Sequence, residues 1–196
     1  MRQILILFGA ASGIIISSSI VFFIPGSLEL LGFSGQYFLS GEIWRLFTFP
    51  FSHVSLGHLA ENAMALLITS LLAYEFGLRG RYFVYCFTLS GIAIALLEAM
   101  LFPAILIAGA SLGTYAVLGS LSIKGSNFIP KYILIPMLAS TIFMMYAVNL
   151  FTCPECITAV SIYSSMFHLA GFIAGISIFY VAVWMRPRKR VLEKMG

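Results

Sequence analysis

Ser111 stands between glycines in Gly109-Ala110-Ser111-Leu112-Gly113, inside a stretch that is otherwise apolar. A serine hydroxyl is a poor nucleophile until a base within hydrogen-bond reach takes its proton. The chain has 3 histidines, His53, His58 and His168. Each lies in or beside another hydrophobic stretch, as does Asn62. His168 is the candidate base, since an imidazole titrates near neutrality. All 7 acidic residues are Glu. A Ser-His-Asp triad is thereby excluded, and serine chemistry here runs on a dyad or recruits a Glu. Ser111 also stands where a helix is expected to begin. Free backbone N–H groups and the positive end of the helix dipole would face a developing oxyanion there. Asn62 and His58 are candidate donors to the same oxyanion.

The elements that must position these groups are membrane spans. The chain is 61% hydrophobic and 9% charged over 196 residues, with a mean hydropathy of +1.03, whereas soluble domains carry about 25% charged residues. Several apolar runs reach the roughly 20 residues that cross a hydrocarbon core. The short alternating segments of a transmembrane barrel are missing, so the fold class is an all-α polytopic membrane protein. Six spans are expected, at about 4–24, 54–76, 82–102, 111–123, 132–151 and 164–184, in a single domain covering 1–196. The first is longer than the roughly 7–15 apolar residues of a signal peptide. Residues 25–53 read as a long connector lying partly in the membrane interface, which suits Trp44 and Tyr37. Pro103 breaks the third span, and the short fourth helix begins inside the membrane at Ser111.

Charge placement orients the bundle. With six spans, Arg2, Arg79, Arg81, Lys124, Lys131 and the tail residues Arg186, Arg188, Lys189, Arg190 and Lys194 share one side, and only Arg45 lies opposite. The positive-inside rule then puts both termini in the cytoplasm and opens the Ser111 end outward, with the plasma membrane as the expected location. The basic tail at 185–196 anchors topology and touches anionic lipid; it is not a nucleic-acid arm.

Depth brings the polar groups together. At a rise of 1.5 Å per residue, Ser111 lies about 20 Å above Lys124, Asn62 about 22 Å and His168 about 26 Å above the inner boundary. His58 and Asn62 share a helical face, as do Ser111 and Tyr115. His168, Gly171 and Gly175 form a stripe that would admit a second backbone closely, and Gly109, Gly113 and Gly119 offer the same from the fourth helix.

These residues resemble the rhomboid family of intramembrane serine proteases. The likeness runs from about Trp44 to Gly175. It is carried by Trp44-Arg45, by His53, His58 and Asn62 in HxxxxHxxxN, by the GxS core with Tyr115, and by His168 with Gly171 and Gly175. The resemblance implies that Ser111 is the nucleophile, His168 its base, His58 and Asn62 oxyanion ligands, and Tyr115 a platform under the histidine. His53 and Gly109 are further supports of that site. It implies no cofactor. Its partners would be the lipid bilayer and the transmembrane segments of other proteins, which it would cut, with the fifth helix and the Cys153–Cys156 loop controlling entry. Two positions depart from the family pattern: Leu112 follows the serine where Gly is usual, and Phe167 precedes the histidine where a small residue is usual. The alternative is a rhomboid-like protein that binds membrane proteins without cutting them.

Other chemistries fit less well. Gly-x-Ser-x-Gly also marks a hydrolase nucleophile elbow, but that motif needs a preceding strand. Cys153-Pro154-Glu155-Cys156 is a local disulfide or half a zinc pattern. His53, His58 and His168 lack the HExxH of a metalloprotease helix. Cys86 reads as packing. Glu61 reads as structural, and Glu75 and Glu98 as hydrogen bonding between helices or near the cytoplasmic face. A proton-coupled transporter would use such acids, yet no inverted repeat is visible.

Overall fold

The computed structural model describes residues 2–144, 147 and 158–184. The Cys153–Cys156 loop, most of the far end of the expected fifth span and the tail 185–196 lie outside the described residues. Among the described residues the chain is helical, with one isolated antiparallel bridge between Phe33 and Ile107. Helix α1 spans Arg2–Phe22. The expected connector instead folds into α2 (Ser27–Leu31), α3 (Gly35–Leu39), α4 (Arg45–Thr48) and a 3-10 turn at Phe49–Phe51. Then come α5 (Leu56–Glu75), α6 (Gly80–Tyr85), a π-helical turn (Cys86–Ser90) and α7 (Gly91–Leu101), the last three continuous. Helix α8 is Ser111–Lys124, α9 is Lys131–Ser140 and α10 is Ala159–Trp184. Among the described residues, four stretches are long and apolar enough to cross a membrane: Leu5–Phe22, Leu56–Glu75, Gly80–Leu101 and Ser161–Trp184.

Local chemistry sets the boundaries. Ser55 caps α5, its Oγ accepting from the His58 N–H at 3.1 Å. Pro103 follows the end of α7. Pro130 precedes the first residue of α9, and Pro136 sits within it. Helix α10 begins at Ala159, earlier than the expected 164.

Helix α8 is the centre of the packing, flanked by α10, the π-helical turn, α5 and α9. Its residues from Leu112 to Ser122 are buried except Tyr115. The buried hydroxyls are satisfied within the helix: Thr114 Oγ1 donates to Ala110 O at 2.9 Å, Ser120 Oγ to Val117 O and Ser122 Oγ to Gly119 O, each at 2.7 Å. Its closest neighbour is α10. A Cβ on Gly175 would collide with Ala116 O, one on Gly119 with Phe172 O, and one on Gly171 would stand 2.9 Å from Leu112 O. Gly113 and Gly109 do not take part in this contact. Gly113 faces Phe87 in the π-helical turn and Gly109 faces His58, because α8 is surrounded and its other sides meet other helices.

The former connector is held by Arg45, which is 5% exposed. Its Nε donates to Glu42 at 2.7 Å, its Nη1 donates to the Gly32 and Glu29 carbonyls, and its guanidinium lies 3.8 Å over the Tyr37 ring. A buried cation is tolerated when its donors are spent in this way. Phe33, Leu46 and Phe49 from the same segment pack with Ile94, Ala95, Ala99, Ile107, Leu112 and Phe167 in a second apolar cluster. Trp44 is exposed.

The α8–α10 contact makes a direct prediction. Gly175→Ala presses a methyl against an immovable backbone carbonyl and lowers stability by about 1–3 kcal/mol or more, as core overpacking does. Gly9→Ala in α1 meets nothing within 4 Å and leaves the unfolding midpoint in detergent unchanged or slightly higher.

Candidate active site

The start of α8 follows from Gly109. Its φ of +99° is a backbone conformation that side chains resist. It also leaves no room, because a Cβ there would stand 2.7 Å from His58 Cε1 and 3.0 Å from His58 Nε2. The Gly109 N–H donates to Phe49 O at 2.9 Å, which ties the turn to the 3-10 segment. Ala110 then precedes the first helical residue with no side-chain cap. The N–H groups of the first turn are therefore not spent on a cap.

Ser111 Oγ lies 2.8 Å from His168 Nε2, joining residues 57 positions apart. The Tyr115 ring stacks on the imidazole, with centroids 4.7 Å apart and planes at 33°. The Tyr115 hydroxyl reaches Thr141 O at 3.4 Å. Asn62 is 6% exposed, and its Nδ2 donates to His58 O at 2.8 Å. Asn62 Oδ1, His58 Nδ1 and His53 Nε2 are buried and find no hydrogen-bond partner among the described residues. His53 packs on His58 with ring centroids 5.1 Å apart. It lies outside the spanning helices; burial, with His58 beside it, lowers its imidazole to about 4 despite the contact with Phe51 O.

A cavity of about 310 Å³ holds these groups together, lined by His58, Asn62, Ser111, Tyr115 and His168 among others. Five of the seven residues expected at the site therefore share one space. Gly109 lies directly behind it, and His53 stands one ring further out. Sequence reasoning did not single out Ser161, Ser164 and Ser165 on α10, which line the same wall. Their spacing from His168 along one helix is the only signal that would have found them. Glu61 also lines this cavity. Glu98 makes no hydrogen bond between helices among the described residues. It lines a second cavity, of about 350 Å³, that shares His58, Ser111 and His168 with the first. Leu112 lines this second cavity too. The Phe167 ring points elsewhere, packing edge-on against Phe102 with centroids 5.9 Å apart.

The arrangement is a hydroxyl in contact with an imidazole at the start of a helix inside an apolar helical protein. Residues 40–185 match the Rhomboid domain. The chain belongs to the rhomboid family and is a multi-pass membrane protein; members of that family are typically intramembrane serine proteases, and some are inactive. No curated protein matches the sequence.

Gly109→Ala is expected to cost on the order of 1–3 kcal/mol in backbone strain, on top of displacing the His58 ring. Thermal unfolding in detergent reads this against Gly57→Ala, where the nearest atom to the new methyl is Ser55 Oγ at 3.8 Å and no change is expected.

Proposed function

We propose that this protein is an intramembrane serine endopeptidase that cuts transmembrane segments of other membrane proteins through a Ser111–His168 dyad. The observation that carries the reading is the 2.8 Å separation of Ser111 Oγ and His168 Nε2 at the start of α8. As Ser111 Oγ bonds to the scissile carbonyl carbon, its proton passes to His168 Nε2 and the carbonyl electron pair moves onto oxygen. The Ser111 N–H, Asn62 Nδ2 and His58 Nε2 donate to that oxyanion. Collapse of the intermediate breaks the C–N bond, and His168 returns the proton to the leaving amine. Water then enters the cavity, gives its proton to His168 and attacks the acyl-enzyme, releasing the new carboxyl group and restoring Ser111. Tyr115 fixes the imidazole plane in each step.

The membrane setting belongs to the same proposal. Six spans carry the site, α8 being the short fourth and α9 the described portion of the fifth. Arg79, Lys124 and Lys131 line one cavity at the far end of α8 from Ser111. That clustering supports a cytoplasmic face there, cytoplasmic termini, and a site opening outward in the plasma membrane. At about 21 Å, the 14 residues of α8 are shorter than the hydrocarbon core. This leaves Ser111 below the outer surface, with water above it.

The test is cleavage of a transmembrane reporter in proteoliposomes. Wild type cleaves; Ser111→Ala and His168→Ala each lower the rate at least about 10³-fold, and Asn62→Ala lowers it about 10²-fold. Reporter binding without cleavage, unchanged by Ser111→Ala and His168→Ala, would instead identify a non-cutting binding protein.

A further inference from the structure

The second cavity beside Ser111 has Ile105, Leu106, Ile107 and Leu112 among its apolar lining and Thr158, Ser161 and Ser164 among its polar lining, with one acid, Glu98 of α7. Glu98 is 7% exposed. Among the described residues its carboxyl has neither an ion-pair nor a hydrogen-bond partner. A buried carboxyl in this state takes up a proton, and becomes an ion-pair partner when a cation is brought to it. The chain's own described cations do not supply one. Arg45 is spent on Glu42 and the connector carbonyls, and Arg79, Lys124 and Lys131 stand at the opposite end of α8. The other titratable groups facing the cavity are His58, His168 and Tyr163, and none is bonded to Glu98.

We propose that this cavity is a side-chain subsite that receives a Lys or Arg of the substrate, at a residue adjoining the scissile bond. The inference rests on the protease reading of Ser111 and His168. Ser111 borders both cavities, so a segment whose carbonyl meets Ser111 Oγ directs a neighbouring side chain into this one. The apolar walls suit the methylene stem of a basic residue, and Glu98 meets its charged head. Counted from Arg81 along α6 and α7, Glu98 lies about 26 Å up the helix. That is near the outer interface, where a basic residue in a transmembrane segment comes to rest. The volume of about 350 Å³ falls within the about 300–1,000 Å³ of ligand clefts.

The test uses the full-length protein in proteoliposomes and transmembrane reporters whose cleaved bond is located by mass spectrometry. Residues within two positions of that bond are exchanged in turn for Lys, Nε-acetyl-lysine and Met. At one position Lys is expected to raise kcat/KM about tenfold over Met, and acetylation, which removes the charge, abolishes the gain. Glu98→Gln is expected to bring the Lys-to-Met ratio near one. The acetyl-lysine comparison is made in wild type, so it stands even where Glu98→Gln fails to fold. Cleavage with no position favouring Lys over both Met and acetyl-lysine overturns the subsite while leaving the protease intact. So does a preference that survives Glu98→Gln. A protein that cleaves no reporter and whose Ser111 resists fluorophosphonate overturns the protease reading and the subsite with it.

Discussion

The backbone-to-backbone approach of α8 and α10 is the constraint on which the rest of this structure depends. Gly119, Gly171 and Gly175 let the two helices close to a separation at which carbonyls of each helix stand where side chains would otherwise be. In lipid the solvent gives apolar helices little reason to associate, so close contact of this kind, through small residues, is what holds them. His168 lies one turn along α10 from Gly171, and Ser111 lies next to Leu112, whose carbonyl Gly171 meets. Fixing the helices therefore fixes the 2.8 Å contact between imidazole and hydroxyl. Tyr115, one turn into α8, fills the space under the ring.

The segment between α1 and α5 depends on a different device. The connector, rich in Phe, Leu and Trp, is anchored by Arg45, which engages Glu42, Glu29, Gly32 and Tyr37 together. The folded segment carries Phe49, whose carbonyl receives the Gly109 N–H. The positive-φ turn before Ser111 is thus braced from the connector, while His58 closes it from α5. Four separate segments converge on one serine.

Much of this is legible in the sequence, for physical reasons. Polar residues in apolar helices are expensive, so Asn62, His58, Ser111 and His168 stand out, and rise per residue brings three of them to a common depth. The glycine stripe of α10 announces a close neighbour. Less legible is which neighbour each glycine meets: Gly113 turns to Phe87 because α8 is enclosed on several sides, and periodicity alone does not number those sides. The short helices of 25–53 are held by tertiary contacts of Arg45 and Phe33 rather than by propensity, so they read as a loop. That Glu98 lines a cavity shared with Ser111 and His168 is not legible from the composition of its helix. The rise that relates Ser111 to Lys124, applied from Arg81 along α6 and α7, puts Glu98 at a similar distance from the basic end. Phe167 reads from its position as a neighbour of the dyad, yet on the helix it turns to Phe102.

The central claim is that contact with His168 makes Ser111 a nucleophile. It is tested most directly by treating the membrane-embedded protein with a fluorophosphonate and mapping the modified peptide. A single phosphonylated residue, Ser111, is expected in wild type and none in His168→Ala of equal thermal stability. A folded wild type that stays unmodified, or a His168→Ala protein labelled as fast as wild type, would contradict it.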